Sequence, residues 1–181
     1  MFSIESNAKI NLYLKICGRR PDGYHELETI MVPIGLADTM AFTESSGVSM
    51  TCDDPALPVD SRNLVICAAN LLREKSGVKK GAKIDVKKKI PVGAGLGGGS
   101  SNAAHALKGL NRLWKLGLGD DDLEELASEL GSDTAFFVRN RPAFATGRGE
   151  KLQPLRVDDP IPLLLLNFGF GSSTAWAYQH F

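Results

Sequence analysis

Residues 91–104 read PVGAGLGGGSSNAA, with five glycines in the seven positions 93–99, followed by Ser100, Ser101 and Asn102. Just before this stretch, Ala82 to Ile90 alternates as AKIDVKKKI, with Ile84, Val86 and Lys88 on one face and charges on the other. That is the pattern of a strand with one wet face. Just after it, Ala103, Leu107, Leu110, Leu113 and Trp114 recur at helical spacing. The glycines therefore join a strand to the start of a helix. Backbone N–H groups at such a start have no helical partner, the helix dipole is positive there, and glycine lets a phosphate approach the backbone. A flexible turn closed by a serine cap is the plainer alternative, but it needs far fewer glycines.

Other phosphate loops fit less well. No lysine stands before Ser100 or Ser101, so the Walker pattern is absent. Gly93, Gly95 and Gly98 satisfy the dinucleotide pattern G-x-G-x-x-G, yet the strand before them is half charged, and Leu113 to Asp122 occupies the place where a second strand ending in an acid belongs. A dinucleotide-dependent oxidoreductase is thus the weaker reading.

Working outward, Ala8 to Cys17 (AKINLYLKIC) alternates with Ile10, Leu12, Leu14 and Ile16 on one face, which predicts a half-buried strand. RRPDGYH follows as a turn, and Glu26 to Ile34 resumes an extended pattern. Shorter strands are expected at Thr39 to Thr43 and Val48 to Cys52, before the loop DDPALPVDSR. Leu64, Val65, Ala68, Leu71 and Leu72 predict an amphipathic helix that ends before Gly77. A further helix is capped by Asp120 to Asp122, buries Leu123, Leu126, Ala127 and Leu130, and stops at Gly131. Strand-like runs at Ala143 to Thr146 and Ile161 to Phe168 complete the pattern. Strands and helices mix without strict alternation, which favours α+β over a doubly wound sheet.

Composition narrows the function classes. In 181 residues, 21 Lys and Arg balance 21 Asp and Glu, so the chain lacks the global positive field of a non-specific nucleic-acid or membrane binder. Any bound anion must be held locally. Cys17, Cys52 and Cys67 are widely spaced and form no CxxC pair, which fits a reducing compartment better than a disulfide framework or a zinc site. The sequence MFSIESNAKI does not read as a signal peptide, and the longest apolar run, Ile161 to Leu166, is far short of a membrane span. A cytoplasmic protein is expected.

P-x-G-A-G-L-G-G-G-S-S-N-A resembles the ATP loop of the GHMP kinase superfamily. Together with AKINLYLKICGRRPDGYHELETI, GSDTAFFV and AFATGRGE, it is similar to the 4-diphosphocytidyl-2-C-methyl-D-erythritol kinase family of non-mevalonate isoprenoid (terpenoid) biosynthesis. The resemblance implies an α+β N-terminal kinase domain of the ribosomal protein S5 domain 2-like fold, a mixed sheet packed with helices and containing a left-handed crossover. It implies a transferase that moves a phosphoryl group from ATP to the 2-hydroxyl of a cytidine-containing substrate. By the same resemblance the catalytic pair is Lys9 and Asp133, and ATP is held by Pro91, Gly93, Gly95, Leu96, Gly97, Gly98, Gly99, Ser100, Ser101 and Asn102. Asn11, Tyr24, His25 and Tyr178 are the implied substrate residues, with the tyrosines stacking on cytosine. Magnesium is expected with the nucleotide, and Ser100 and Ser101 are its candidate ligands, no acidic residue being placed by motif.

Taken alone, these residues have plainer readings. Asp133 can cap the helix leading into Ala135 to Val138, Lys9 can be a solvated strand residue, and Tyr24 and His25 can sit in an ordinary surface turn. His105 and His180 are read as structural. Lys79, Lys80, Lys83, Lys87, Lys88 and Lys89 form a basic cluster, read chiefly as a solvated face, with a role near the ATP phosphates as the alternative.

The resemblance also divides the chain into an ATP-binding domain over residues 1–160 and the start of a C-terminal domain at 161–181. Five large aliphatics in the six positions Ile161 to Leu166 suggest a strand covered on both faces. With Trp176, Tyr178 and Phe181 they would form a face that self-associates or pairs with a C-terminal fragment. A nucleotide-binding module without turnover is the alternative to an active kinase.

Overall fold

The computed structural model describes residues 1–157, 159, 161–167 and 169. Its strands are β1 (Phe2–Arg19), β2 (His25–Ser45), β3 (Val48–Cys52), β4 (Gly81–Lys87), β5 (Ala143–Gly147) and β6 (Lys151–Pro154). Its helices are α1 (Leu64–Ser76), α2 (Gly98–Trp114), α3 (Asp120–Leu130) and α4 (Thr134–Arg139). The expected α+β architecture is present, with one mixed sheet.

The spine of the sheet is β2. Along one edge it pairs antiparallel with β1 over nearly its whole length, from Phe2 opposite Phe42 to Arg19 opposite His25. Along the other edge it is shared: Leu27 to Met31 pair with β5, and Thr39 to Ser45 pair with β4. The stretch between them pairs with neither strand, and Pro33, which has no N–H to give a ladder, lies within it. The β-sheet is completed by β3, parallel to β4, and β6, antiparallel to β5.

Parallel pairing of β3 and β4 requires a crossover, and α1 supplies it. Asn63 caps its start, accepting the Val65 N–H at 3.0 Å, and Gly77 ends it with a positive φ of 69° while its N–H bonds to Arg73 O. The core lies between the sheet and the helices, and Phe42, Met31, Met40, Ile84, Leu107, Leu110, Phe136 and Phe137 are fully enclosed. Where α2 crosses the sheet it presents Gly109, at which a Cβ would overlap the Phe42 ring. Helix and sheet thus approach closely here, and the helix that starts at the glycine-rich loop is held hard against β2.

Several expectations need correction. Glu26 to Ile34 and Thr39 to Thr43 are parts of one strand, because β1 pairs across Pro33 and keeps the backbone extended. Leu12 and Leu14 are exposed at 47% and 49%: the face predicted as buried is broken by a register shift between Asn11 and Tyr13. Residues 161–167 form no strand and pair with no described strand, and Leu164 is 86% exposed; Phe168 lies outside the described residues. The β6 strand has no expectation behind it, since KLQP carries no alternation strong enough to signal a strand.

Candidate active site

The sheet and the glycine-rich loop border a cleft of about 1390 Å³. Its centre is built from β1. Lys9 and Asn11 face the cleft, and after the register shift the parity changes, so Leu14 and Ile16 line the same cleft. One irregularity in the ladder thus places two polar and two apolar side chains along one wall.

Lys9 is nearly enclosed, its side chain 8% exposed, and its Nζ lies 3.3 Å from Asp133 Oδ2. Lys9 also donates to Asn11 Oδ1 at 2.6 Å, Asn11 Nδ2 donates to Thr29 Oγ1 at 2.6 Å, and Thr29 Oγ1 donates to Tyr13 O at 2.7 Å. The chain of bonds fixes the ammonium from below and leaves the carboxylate, 37% exposed, open to the cleft. Asp133 stands at the N-cap of α4 but makes no capping bond with its side chain. Its carboxylate is turned to Lys9 instead.

The loop is anchored to this pair. Leu96 is buried with Ala8 and Ile90 in a small apolar cluster, and its carbonyl accepts the Lys9 N–H at 3.0 Å. Gly97 caps α2 with φ 69°, and a Cβ there would meet the Phe137 ring at 2.8 Å and Lys9 Cγ at 3.2 Å. Glycine is required at 97 both by its backbone angle and by contact with the catalytic candidate. The helix starts at Gly98, ahead of Ala103, the first position whose spacing reads as helical from sequence. Its first intrahelical bond is Ser101 N–H to Gly97 O at 2.8 Å, so the N–H groups of Gly98, Gly99 and Ser100 precede the ladder and are available to an anion.

Of the predicted nucleotide residues, Pro91, Gly93, Gly95, Leu96, Gly97, Gly98, Gly99, Ser100 and Asn102 line the cleft. Ser101 does not line it. Its side chain is fully buried, with Oγ donating to Asn7 O at 2.6 Å and lying 2.8 Å from Ser6 Oγ, so it fastens the helix start to β1. His105, one turn further, is buried; its Nδ1–H donates to Ser101 O at 2.9 Å, and burial pushes its pKa down to about 4.

At the other end of the cleft, the turn before β2 is tied down by Arg20, which bonds Asp22 at 3.0 Å and Glu26 at 2.8 Å. These hydrogen bonds raise the Arg20 pKa and hold both carboxyls below their ordinary values. Glu26 also accepts the Gly147 N–H at 3.1 Å, which binds the turn to the end of β5. Tyr24 and His25 line the cleft, with Tyr24 53% exposed and the Arg148 guanidinium 4.8 Å over its ring. Tyr178 and His180 lie outside the described residues.

Sequence reasoning missed Thr29, Arg148 and Asp38, and of its readings of Lys88 only the solvated face is corrected. The Lys88 side chain is 9% exposed and paired with a fully buried Asp38, so it lines the cleft beside the loop and does not belong to a solvated face. The sequence signal was its in-phase position with Ile84 and Val86, on the apolar side of β4. Arg148 lies within the AFATGRGE segment, but nothing local marks its direction.

Residues 63–141 match the GHMP kinases N terminal domain, a match that includes the glycine-rich loop and Asp133. The 4-diphosphocytidyl-2-C-methyl-D-erythritol kinase of Synechococcus sp. (strain JA-3-3Ab) is 50% identical over 178 residues, covering 97% of this chain and 58% of its own length. The enzyme of the same name from Bacillus pumilus (strain SAFR-032) is 48% identical over 176 residues, covering 96% of this chain and 61% of its own. The chain carries a GHMP kinase N-terminal domain.

Among solved GHMP kinase folds, a 4-(cytidine 5'-diphospho)-2C-methyl-D-erythritol kinase superposes with a TM-score of 0.74 at 39% identity, over 87% of this chain and 56% of that one. The Methanococcus jannaschii mevalonate kinase gives 0.68 at 18% identity, over 86% of this chain and 56% of that one, and shares the fold alone. The chain spans about three fifths of the length of the curated GHMP relatives it matches.

Proposed function

We propose that this chain carries the nucleotide- and substrate-binding cleft of a kinase that transfers the γ-phosphoryl group of ATP to the 2-hydroxyl of 4-diphosphocytidyl-2-C-methyl-D-erythritol. The observation that carries the reading is the Lys9–Asp133 pair, 3.3 Å apart and bonded through Lys9 N–H to the glycine-rich loop. Phosphoryl transfer to an alcohol proceeds through a loose transition state, so positioning and charge stabilisation dominate. In that reaction the Asp133 carboxylate orients the hydroxyl and accepts its proton, and the Lys9 ammonium stabilises charge on the transferring group. The free N–H groups at the start of α2 hold the phosphates. Tyr24, His25 and Asn11 hold the cytidine-containing substrate, and residues 1–160 act as one ATP-binding domain.

The chemistry that magnesium would supply when bound with ATP is neutralisation of charge on the phosphates. Among the described residues no group of three or more His, Cys, Asp or Glu could cage a metal, which suits an ion held mainly by phosphates and water. Ser100 and Asp133, both lining the cleft, would supply the protein-side oxygens. No described helix is long and apolar enough to cross a membrane, and a cytoplasmic location goes with this reading.

The test is to incubate the chain with ATP, magnesium and the cytidine substrate and to follow ADP. Substrate-dependent ADP release is expected. ATP binding without such release would instead mark a nucleotide-binding module.

A further inference from the structure

We propose that Asp38 is the positioning residue of the glycine-rich loop: one buried carboxylate fixes the strand exit before the loop and the first turn of α2 after it, which presets the loop for a triphosphate. The inference rests on the nucleotide reading of the loop given above.

Asp38 sits on β2 in the stretch that pairs with neither β4 nor β5, and it is fully buried. Its Oδ1 accepts the N–H groups of Lys89 and Ile90 at 2.7 and 2.9 Å, continuing with a side chain the ladder that β4 leaves at Lys87. Its Oδ2 accepts Asn102 Nδ2 at 2.9 Å and pairs with the Lys88 ammonium. The backbone before the loop is thereby bonded to one oxygen, and Asn102 of α2 to the other oxygen, of a single carboxylate. Asn102 carries the tether further, donating to Ser6 Oγ at 3.0 Å and accepting from Lys88 Nζ at 3.0 Å.

A carboxylate buried to this extent is costly unless its charge and lone pairs are met, and here four donors meet them. Lys88 explains why a charge is needed. Its Nζ lies 3.4 Å from where a Cβ on Gly98 would stand, at the positive end of α2, where an unpaired cation is unfavourable. Asp38 cancels that charge while aligning the backbone whose N–H groups face the cleft. Asparagine has the same shape but one acceptor oxygen, so Asp38→Asn turns an amide N–H₂ toward donors and leaves Lys88 without its counter-charge.

The experiment titrates magnesium-ATP and, separately, CDP into the 181-residue chain and its Asp38→Asn variant, with thermal melting of both. Asp38→Asn is expected to weaken ATP binding about 10- to 100-fold, as loss of a supporting hydrogen-bond partner does at other preset sites, with CDP affinity changed less than about twofold. Unchanged ATP affinity, or equal losses for both ligands with a lowered melting temperature, would reduce Asp38 to a fold-stabilising residue and overturn the proposal. If Asp38→Asn does not fold, Asp38→Glu keeps the counter-charge for Lys88 but displaces the two oxygens from the Lys89, Ile90 and Asn102 donors: an ATP-selective loss supports the proposal and no loss overturns it. Failure of the unaltered chain to bind ATP would overturn the kinase reading as well, and is read separately from any effect of the variants.

Discussion

Lys9 is a residue that a strand ordinarily gives to solvent, and here it is enclosed because partners from different segments converge on it: Asn11, Asp133 and the Leu96 carbonyl at its own N–H. The convergence separates two roles for Asp133. A cap would use its side chain on the α4 N–H groups, and it does not. Asp133→Asn keeps the shape and a capping oxygen, so under the proposed kinase reading it is expected to lower ADP release by about 10²- to 10⁴-fold with ATP binding retained. Near-normal turnover would return Asp133 to a structural role. His105 gives a second expectation at this scale. It is buried and neutral, with its pKa pushed down to about 4 from an ordinary 6.5, so between those values the unfolded chain binds a proton that the folded chain refuses. Its contribution is present in full above pH 6.5, and roughly 3 kcal/mol of stability is lost as pH falls to about 4. Urea denaturation at about pH 7.5 and about pH 4.5 should show a smaller drop for His105→Gln than for the unaltered chain, and equal drops would place the titration elsewhere.

At the scale of elements, what the sequence made legible was local. Gly77 ends α1, Gly131 follows α3, and the glycines begin α2, because starting or ending a helix is a demand a single residue can meet. Register was not legible. The shift between Asn11 and Tyr13 decides which side chains of β1 enter the cleft, and it depends on β2, which lies beyond any window of alternation. The same limit hid Asp38, whose donors are 50 to 64 residues away in the chain. It also changes how the loop should be probed. Sequence suggests Gly97→Val, with the side chain standing in the place of a phosphate, but a Cβ at 97 meets Phe137 and Lys9 first. Gly99 is the cleaner position, because a Cβ there would have Leu64 Cδ1 as its nearest neighbour, at 3.9 Å. Gly99→Val is expected to weaken ATP binding by about tenfold, roughly 1.4 kcal/mol, with little change in melting temperature. Unchanged ATP affinity would remove the first turn of α2 from the nucleotide site.

Across the whole molecule, β2 acts as a ruler. One end begins at the Arg20–Glu26 turn with Tyr24 and His25, and the stretch containing Asp38 supports the glycine-rich loop, so the two binding regions are set by one strand but share no hydrogen-bond partner among the bonds described above. Substitutions at the two ends should therefore act on different ligands and combine additively. Tyr24 offers one ring face to the Arg148 guanidinium and is half exposed, which leaves aromatic surface for a flat base. Stacking of a base on an aromatic side chain contributes about 1–3 kcal/mol, so Tyr24→Ala is expected to weaken CDP binding by roughly 5- to 150-fold. ATP affinity should stay within about twofold, because the N–H groups proposed to hold phosphate belong to α2 and are anchored through Leu96, Ser101 and Asn102, whose bonds go to β1, β2 and Lys88 and not to the turn. Calorimetric titration of both ligands into Tyr24→Ala, Gly99→Val and the double variant separates the outcomes. Independent ends predict losses confined to one ligand in each single variant and to the sum of those losses in the double. A loss of ATP binding in Tyr24→Ala as large as its loss of CDP binding would mean that the turn supports the entire cleft through the β1–β2 pairing, and that the cytidine assignment of Tyr24 rests on folding and not on contact.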